Sequence, residues 1–190
     1  MSVLQVDTIQ DSAGTTNKEL AQYSSGNWSW GSGVPAGTVL QVKAEQTREQ
    51  NTLTETFVNY VEVNVTLKSA SSDIYIFHGH GVNIQGNNEG YGMAVYRNTS
   101  ATVTTSHTLV YSPNVTDATG GLTGYSAAGN HFERYSYQFK DSLSGFSAGN
   151  TLYYGFFFER RSTNATVVLP AGDSNGQHAV FDTTIMEVQK

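Results

Sequence analysis

The sequence predicts an all-β protein, a jelly-roll-like antiparallel sandwich carrying a short extended N-terminal arm. Three observations predict it. Apolar residues alternate with polar ones or cluster in short runs, and helical spacing is almost absent. Those runs are rich in Val, Ile, Thr, Tyr and Phe, side chains that suit a half-buried pleated surface. Gly, Asn and Ser punctuate them at short intervals, as in sandwiches built from many strands.

The elements follow in order. Thr38 to Lys43 opens the globular part. Phe57 to Leu67 places Val61, Val63, Val65 and Leu67 on one face, with Glu62, Asn64 and Thr66 on the other. Asp73 to His80 is apolar on both faces and reads as a central strand. Tyr91 to Tyr96, Thr105 to Tyr111, Phe132 to Phe139, Leu152 to Arg160, Thr166 to Leu169 and Ala179 to Val188 complete the set. Ala44 to Gln50 has helix-forming composition without helical spacing, so it reads as a strand end entering a loop. The Gly-rich segment from Thr119 to Gly129 reads as a long loop.

Residues 1–35 form the arm and residues 36–190 the head domain. Val3 to Ile9 makes one short strand, Asp11 to Gly14 a turn, and Ser24 to Gly33 a flexible stretch holding both tryptophans. So short a segment cannot bury its own Leu4, Val6, Ile9, Trp28 and Trp30, and those residues are expected to dock on a neighbouring subunit or another protein.

Composition removes several classes. Ten basic against sixteen acidic residues, with 14% charged overall, offer no basic patch for nucleic acid. No apolar run reaches bilayer-spanning length, and the first residues lack the pattern of a signal peptide. The absence of cysteine excludes disulfides, Cys-bound zinc and thiol chemistry.

Catalytic patterns are weak. Gly145-Phe-Ser-Ala-Gly149 spells Gly-x-Ser-x-Gly, but it reads as a Gly-rich turn with no strand-to-helix elbow to expose a nucleophile. The carboxylates are thinly spread, so no enzyme activity and no cofactor are expected. His78-Gly-His80 is the most pointed constellation. On a strand the two imidazoles share a face about 7 Å apart. That pair is either a weak metal site completed around a threefold axis or two partly buried, hydrogen-bonded histidines. Gly86 to Gly92 lacks the Lys and the helix of a phosphate loop and reads as a turn.

Leu4-Gln-Val-Asp-Thr-Ile-Gln-Asp-Ser-Ala-Gly-Thr-Thr16 resembles the N-terminal motif of tail-fibre-like virion proteins of marine and cyanobacterial phages. Gly37-Thr-Val-Leu-Gln-Val42, Phe57-Val-Asn-Tyr-Val-Glu-Val-Asn-Val-Thr-Leu67, Ala70-Ser-Ser-Asp-Ile-Tyr-Ile76 and Thr183-Thr-Ile-Met-Glu-Val188 are similar to the beginning, middle and end of their distal domain. The resemblance implies a virion location and a non-enzymatic structural protein. It also implies a homotrimer whose arm binds other virion proteins and whose head contacts a host-surface glycan or protein. Relatives carry a long shaft that this chain lacks, so a capsid decoration or head fibre anchored to the shell is the alternative.

Two further expectations follow. Phe156-Phe-Phe158, Tyr153-Tyr154 and Tyr75-Ile-Phe77 place aromatics on both strand faces, and a cyclic oligomer would cover the surplus face. Host contact is expected in loops where Tyr accompanies Gly and Asn. Tyr125 within residues 112–130, and Asn87, Asn88 and Tyr91 within Asn83 to Gly92, are the candidates.

Overall fold

The computed structural model describes residues 8–10, 19–24, 27–30, 34–48, 51–86, 89–113, 122–126, 130–161, 166–170 and 180–190, and every regular element among them is a β-strand. In chain order these are β1 (Thr8–Gln10), β2 (Glu19–Ser24), β3 (Asn27–Trp30), β4 (Val39–Thr47), β5 (Asn51–Thr52), β6 (Val58–Thr66) and β7 (Ser72–Gln85). Then come β8 (Glu89–Asn98), β9 (Thr108–Tyr111), β10 (Leu122–Ser126), β11 (Asn130–Ser142), β12 (Thr151–Arg160), β13 (Thr166–Leu169) and β14 (Phe181–Gln189).

Two antiparallel sheets make the sandwich. In the first, β4 lies beside β14, β14 beside β7 and β7 beside β11. β13 and β5 continue the rows of β14 and β4 along the far half of β7. In the second, β6 pairs β12, β12 pairs β8, and β9 and β10 share the other edge of β8. Successive strands β6, β7 and β8 cross from sheet to sheet, and the first and last strands of the sandwich are neighbours. This interleaving is the jelly-roll order expected from the sequence.

Period-two alternation fills the space between the sheets. Ile74, Ile76, Val82 and Ile84 point inward from β7, against Leu152, Tyr154, Phe156 and Phe158 of β12 and Tyr91, Met93 and Val95 of β8. Burying each such side chain contributes about 1.5–3 kcal/mol. Val63, Val65 and Leu67 take the buried face of their segment, as their spacing predicts.

The outer face of the second sheet carries a further apolar cluster. Phe157 of β12 packs with Ala94, Tyr96 and Val103, and Phe57 and Tyr153 close around them. Val103 reaches it because Glu62 accepts the backbone N–H groups of Thr102 and Val103, folding the segment after β8 over the sheet. Phe157 and Tyr96 are thus covered by the chain itself. This corrects the expectation that Phe157 needs a second subunit, while Tyr153 stays partly exposed. On the first sheet Phe77 does stand exposed, together with Val42.

Three other expectations change. The stretch from Ser24 to Gly33 contains β3, which joins β2 and β1 in a separate antiparallel sheet. The Gly-rich segment is interrupted by β10, whose register with β8 shifts between Leu122 and Gly124. Asn83 to Gly92 is mostly strand, since β7 runs to Gln85 and β8 begins at Glu89.

Candidate functional site

The two faces of β7 carry different chemistry. Residues in phase with Ile74 and Ile76 face the core, which places His78 and His80 inside and Phe77, Gly79 and Gly81 outside. The outer glycines leave the middle of the sheet without side chains. Arg134 of β11 spans that bare strip and meets Asp182 of β14 at 3.2 Å. Phe77, 39% exposed, stands at one end, with Gln138 level with it on β11 and Thr184 level with it on β14. The result is a groove of about 400 Å³ with Gly79 as its floor. A Cβ built at Gly79 would find nothing closer than the Tyr135 carbonyl at 3.6 Å, an ordinary contact without a clash.

Chemically the groove offers the Phe77 face, a guanidinium, a carboxylate, an amide and the hydroxyls of Ser136 and Thr184. The Arg134–Asp182 pair is solvent-exposed and holds its geometry by less than about 1 kcal/mol. Arg134 can therefore turn toward a polar ligand at little cost, while Asp182 also accepts from the Gln46 amide.

Beneath the floor lie the histidines, 2% and 0% exposed, with ring centroids 5.2 Å apart. His78 Nδ1 is 2.8 Å from the Thr183 hydroxyl, and its ring stacks on Phe156 of the opposite sheet at 4.3 Å. His80 Nε2 lies 2.9 Å from the Tyr91 hydroxyl, a hydrogen bond that crosses between the sheets. Burial holds His78 far below its ordinary value, at about 3, and burial together with the neighbouring His78 holds His80 well below its own. Tyr91 is raised by burial and by its contact with Tyr137, whose own phenol burial pushes up to about 12.

Of the residues singled out in the sequence, Tyr91 is corrected. It is fully buried and bonded to His80, so it offers nothing to a receptor. Phase gives the reason, since Tyr91 alternates with the inward Met93 and Val95 on β8. The threefold-axis reading of His78 and His80 falls for the same reason, as both rings face the core, and among the described residues no group of three or more His, Asp or Glu could hold a metal. Leu4, Val6, Asn87 and Asn88 lie outside the described residues. Ile9 falls on β1, Trp28 and Trp30 on β3, and Tyr125 on β10 opposite Gly90. The groove residues went unnoticed in the sequence, although the alternation of Phe77 and Gly79 with two core-phase histidines was a readable signal.

No family model matches the chain, and no curated protein matches it. Among solved structures, it is similar to that of infectious bursal disease virus Gx strain at 10% identity, covering 80% of this chain and 41% of that chain, with a TM-score of 0.28. It is similar also to the infectious bursal disease virus VP2 subviral particle at 10% identity, covering 80% of this chain and 42% of that one, with a TM-score of 0.25. The chain thus spans less than half the length of the structures it matches. Its jelly-roll order is read from its own strand pairing.

Proposed function

We propose that this protein is a non-enzymatic structural component of a virion, the homotrimeric head of a tail fibre or spike, and that it touches host-surface glycan through the groove over Gly79. The groove carries this reading. Phe77 supplies the apolar face on which a sugar ring stacks, and Gly79 lets the ring approach the sheet. Arg134, Asp182, Gln138 and Thr184 supply donors and acceptors for hydroxyl groups. The motif order from Leu4 to Val188, similar to that of tail-fibre-like phage proteins, supports the virion location and the trimer. Residues 1–35 act as the attachment arm.

The test uses particles carrying the chain with Phe77→Ala or Arg134→Ala. Adsorption to host cells should fall at least tenfold for each, with the isolated proteins unfolding at the wild-type temperature. Free host glycan should compete with wild-type adsorption. Full adsorption by both folded variants would overturn the reading in favour of an arm-anchored capsid decoration. Light scattering on the purified chain should return three times its 20.6 kDa mass. A monomer would remove the trimer from the proposal.

A further inference from the structure

We propose that His78 and His80 form an acid-sensitive latch between the two sheets, neutral and closed near pH 7 and opened when the pair takes up protons. Position comes first. His80 supplies a hydrogen bond across the sandwich to Tyr91, and His78 stacks across it on Phe156. Both histidines therefore sit where the two sheets are fastened together.

The second observation is an unmatched pair of nitrogens. His78 Nε2 and His80 Nδ1 are buried and have no hydrogen-bond partner among the described residues. A neutral imidazole can leave one nitrogen as a bare lone pair. An imidazolium must donate from both, so protonation creates a buried N–H without an acceptor at each of these two atoms. Leaving such a donor unsatisfied costs about 1–3 kcal/mol, and more when the group is charged.

The surroundings give a charge no relief. From β12 the rings meet Phe156 and Phe158, and from β14 they meet Phe181 and the uncharged Thr183. From β8 His80 meets the Tyr91 phenol, and from β11 it meets those of Tyr135 and Tyr137. In the core-facing phase of the neighbouring strands the acidic side chains are Glu133 of β11, whose charge is felt at Tyr91 and Tyr137, Asp141 of β11, bonded to Arg97 and Tyr154, and Glu89 of β8, bonded to the Gly90 N–H. Glu159 of β12 and Asp182 of β14 stand on the outer faces. Glu187 of β14 is bonded to the backbone of Lys68 and Ser69. None of these carboxylates bonds either ring. The two rings also oppose each other's charge at 5.2 Å. Protons are therefore taken up by a state in which the sheets have separated.

Sign and window follow from the depressed values. The contribution is fully present above the ordinary histidine value of 6.5 and is lost as the pH falls toward the folded values. The purified full chain serves for the test, with its urea-unfolding equilibrium measured from pH 7 to 5 together with the binding of a hydrophobic dye. Between pH 6 and 5, unfolding of wild type should take up nearly two protons through this pair, raising the unfolding constant by up to about 100-fold. Measured against the double variant, which lacks this contribution, His78→Gln or His80→Gln should retain only about a tenfold rise. Dye binding should appear in wild type at a higher pH than in the double variant.

A wild-type slope equal to that of the double variant would overturn the proposal. Should the variants fail to fold, histidine NMR on wild type decides. Two ring signals that stay neutral while the protein remains folded at pH 5.5 support the latch, and titration of either ring near 6.5 in the folded protein refutes it.

Discussion

Asp141, on the first sheet, accepts the hydroxyl of Tyr154, on the second, at 2.8 Å. Arg97, also on the second sheet, pairs with the same carboxylate oxygen, and its guanidinium lies over the Phe146 ring at 4.9 Å. One carboxylate thus ties two strands of the opposite sheet to β11, near the end of the sandwich remote from β10. Both side chains of the ion pair are largely buried, at 13% and 10% exposure, so removing one partner strands the other's charge. Arg97→Met should cost about 3 kcal/mol in urea unfolding. Arg97→Met with Asp141→Asn should cost less than Arg97→Met alone. A cost for the double variant equal to the sum of the singles would show that the two charges are not coupled.

Gly155 is a site of close approach. A Cβ built there would lie 2.8 Å from Phe157 Cε2, and 2.9 Å from both Asn59 Nδ2 and Val103 Cβ. The last is the segment that Glu62 folds over the sheet. Gly155→Ala should therefore destabilise by about 1–3 kcal/mol through overpacking. Gly79→Ala places its methyl at ordinary contact distance from its neighbours and should change stability by less than about 0.5 kcal/mol. Equal effects at the two glycines would contradict the packing described for Val103.

Strand positions were legible because alternation is a local property. The inward placement of His78, His80 and Tyr91 was legible too, since each keeps phase with aliphatic neighbours on its strand. Residue type misled there, because Tyr among Gly and Asn reads as a recognition surface. The cover over Phe157 was not legible. The segment from Thr99 to His107 is Ser- and Thr-rich with Val103 as its one large aliphatic residue, and its course is set by the distant Glu62 carboxylate. The groove was hidden for a similar reason: it exists only once β11 and β14 are known to flank β7.

Glu187 is a fully buried carboxylate that organises the turn before β7. It accepts the N–H of Lys68 at 2.9 Å, the N–H of Ser69 at 3.0 Å and the Ser72 hydroxyl at 2.8 Å, and the Gln41 amide donates to it as well. Every one of these groups is a donor, so the site requires an acceptor on all sides. Glu187→Gln turns one acceptor into an NH₂ facing donors and should cost about 2–3 kcal/mol. Amide hydrogen exchange at Lys68 and Ser69 should speed up in that variant. Unchanged exchange there would show that the turn holds without the carboxylate.

Glu159 governs the opposite pH limb from the histidines. It stands on the outer face of β12, level with Gly92 of β8, and burial pushes its carboxyl from 4.5 up to about 7. Burial, and secondarily the Glu159 charge, raises the nearby Tyr96 phenol. A carboxyl whose folded value is raised binds its proton more tightly in the folded state. Its stabilising contribution is therefore complete below about pH 4.5 and is lost as the pH rises through about 7. Solvent still reaches the group, which keeps the effect modest. Glu159→Gln, which stays neutral throughout, should raise the melting temperature by a few degrees at pH 8 and leave it nearly unchanged at pH 5. In the His78/His80 double variant the gain from Glu159→Gln should persist at pH 8, because that pair is already neutral there. A gain of the same size at pH 5 and pH 8 would show that charge on Glu159 is not its cause.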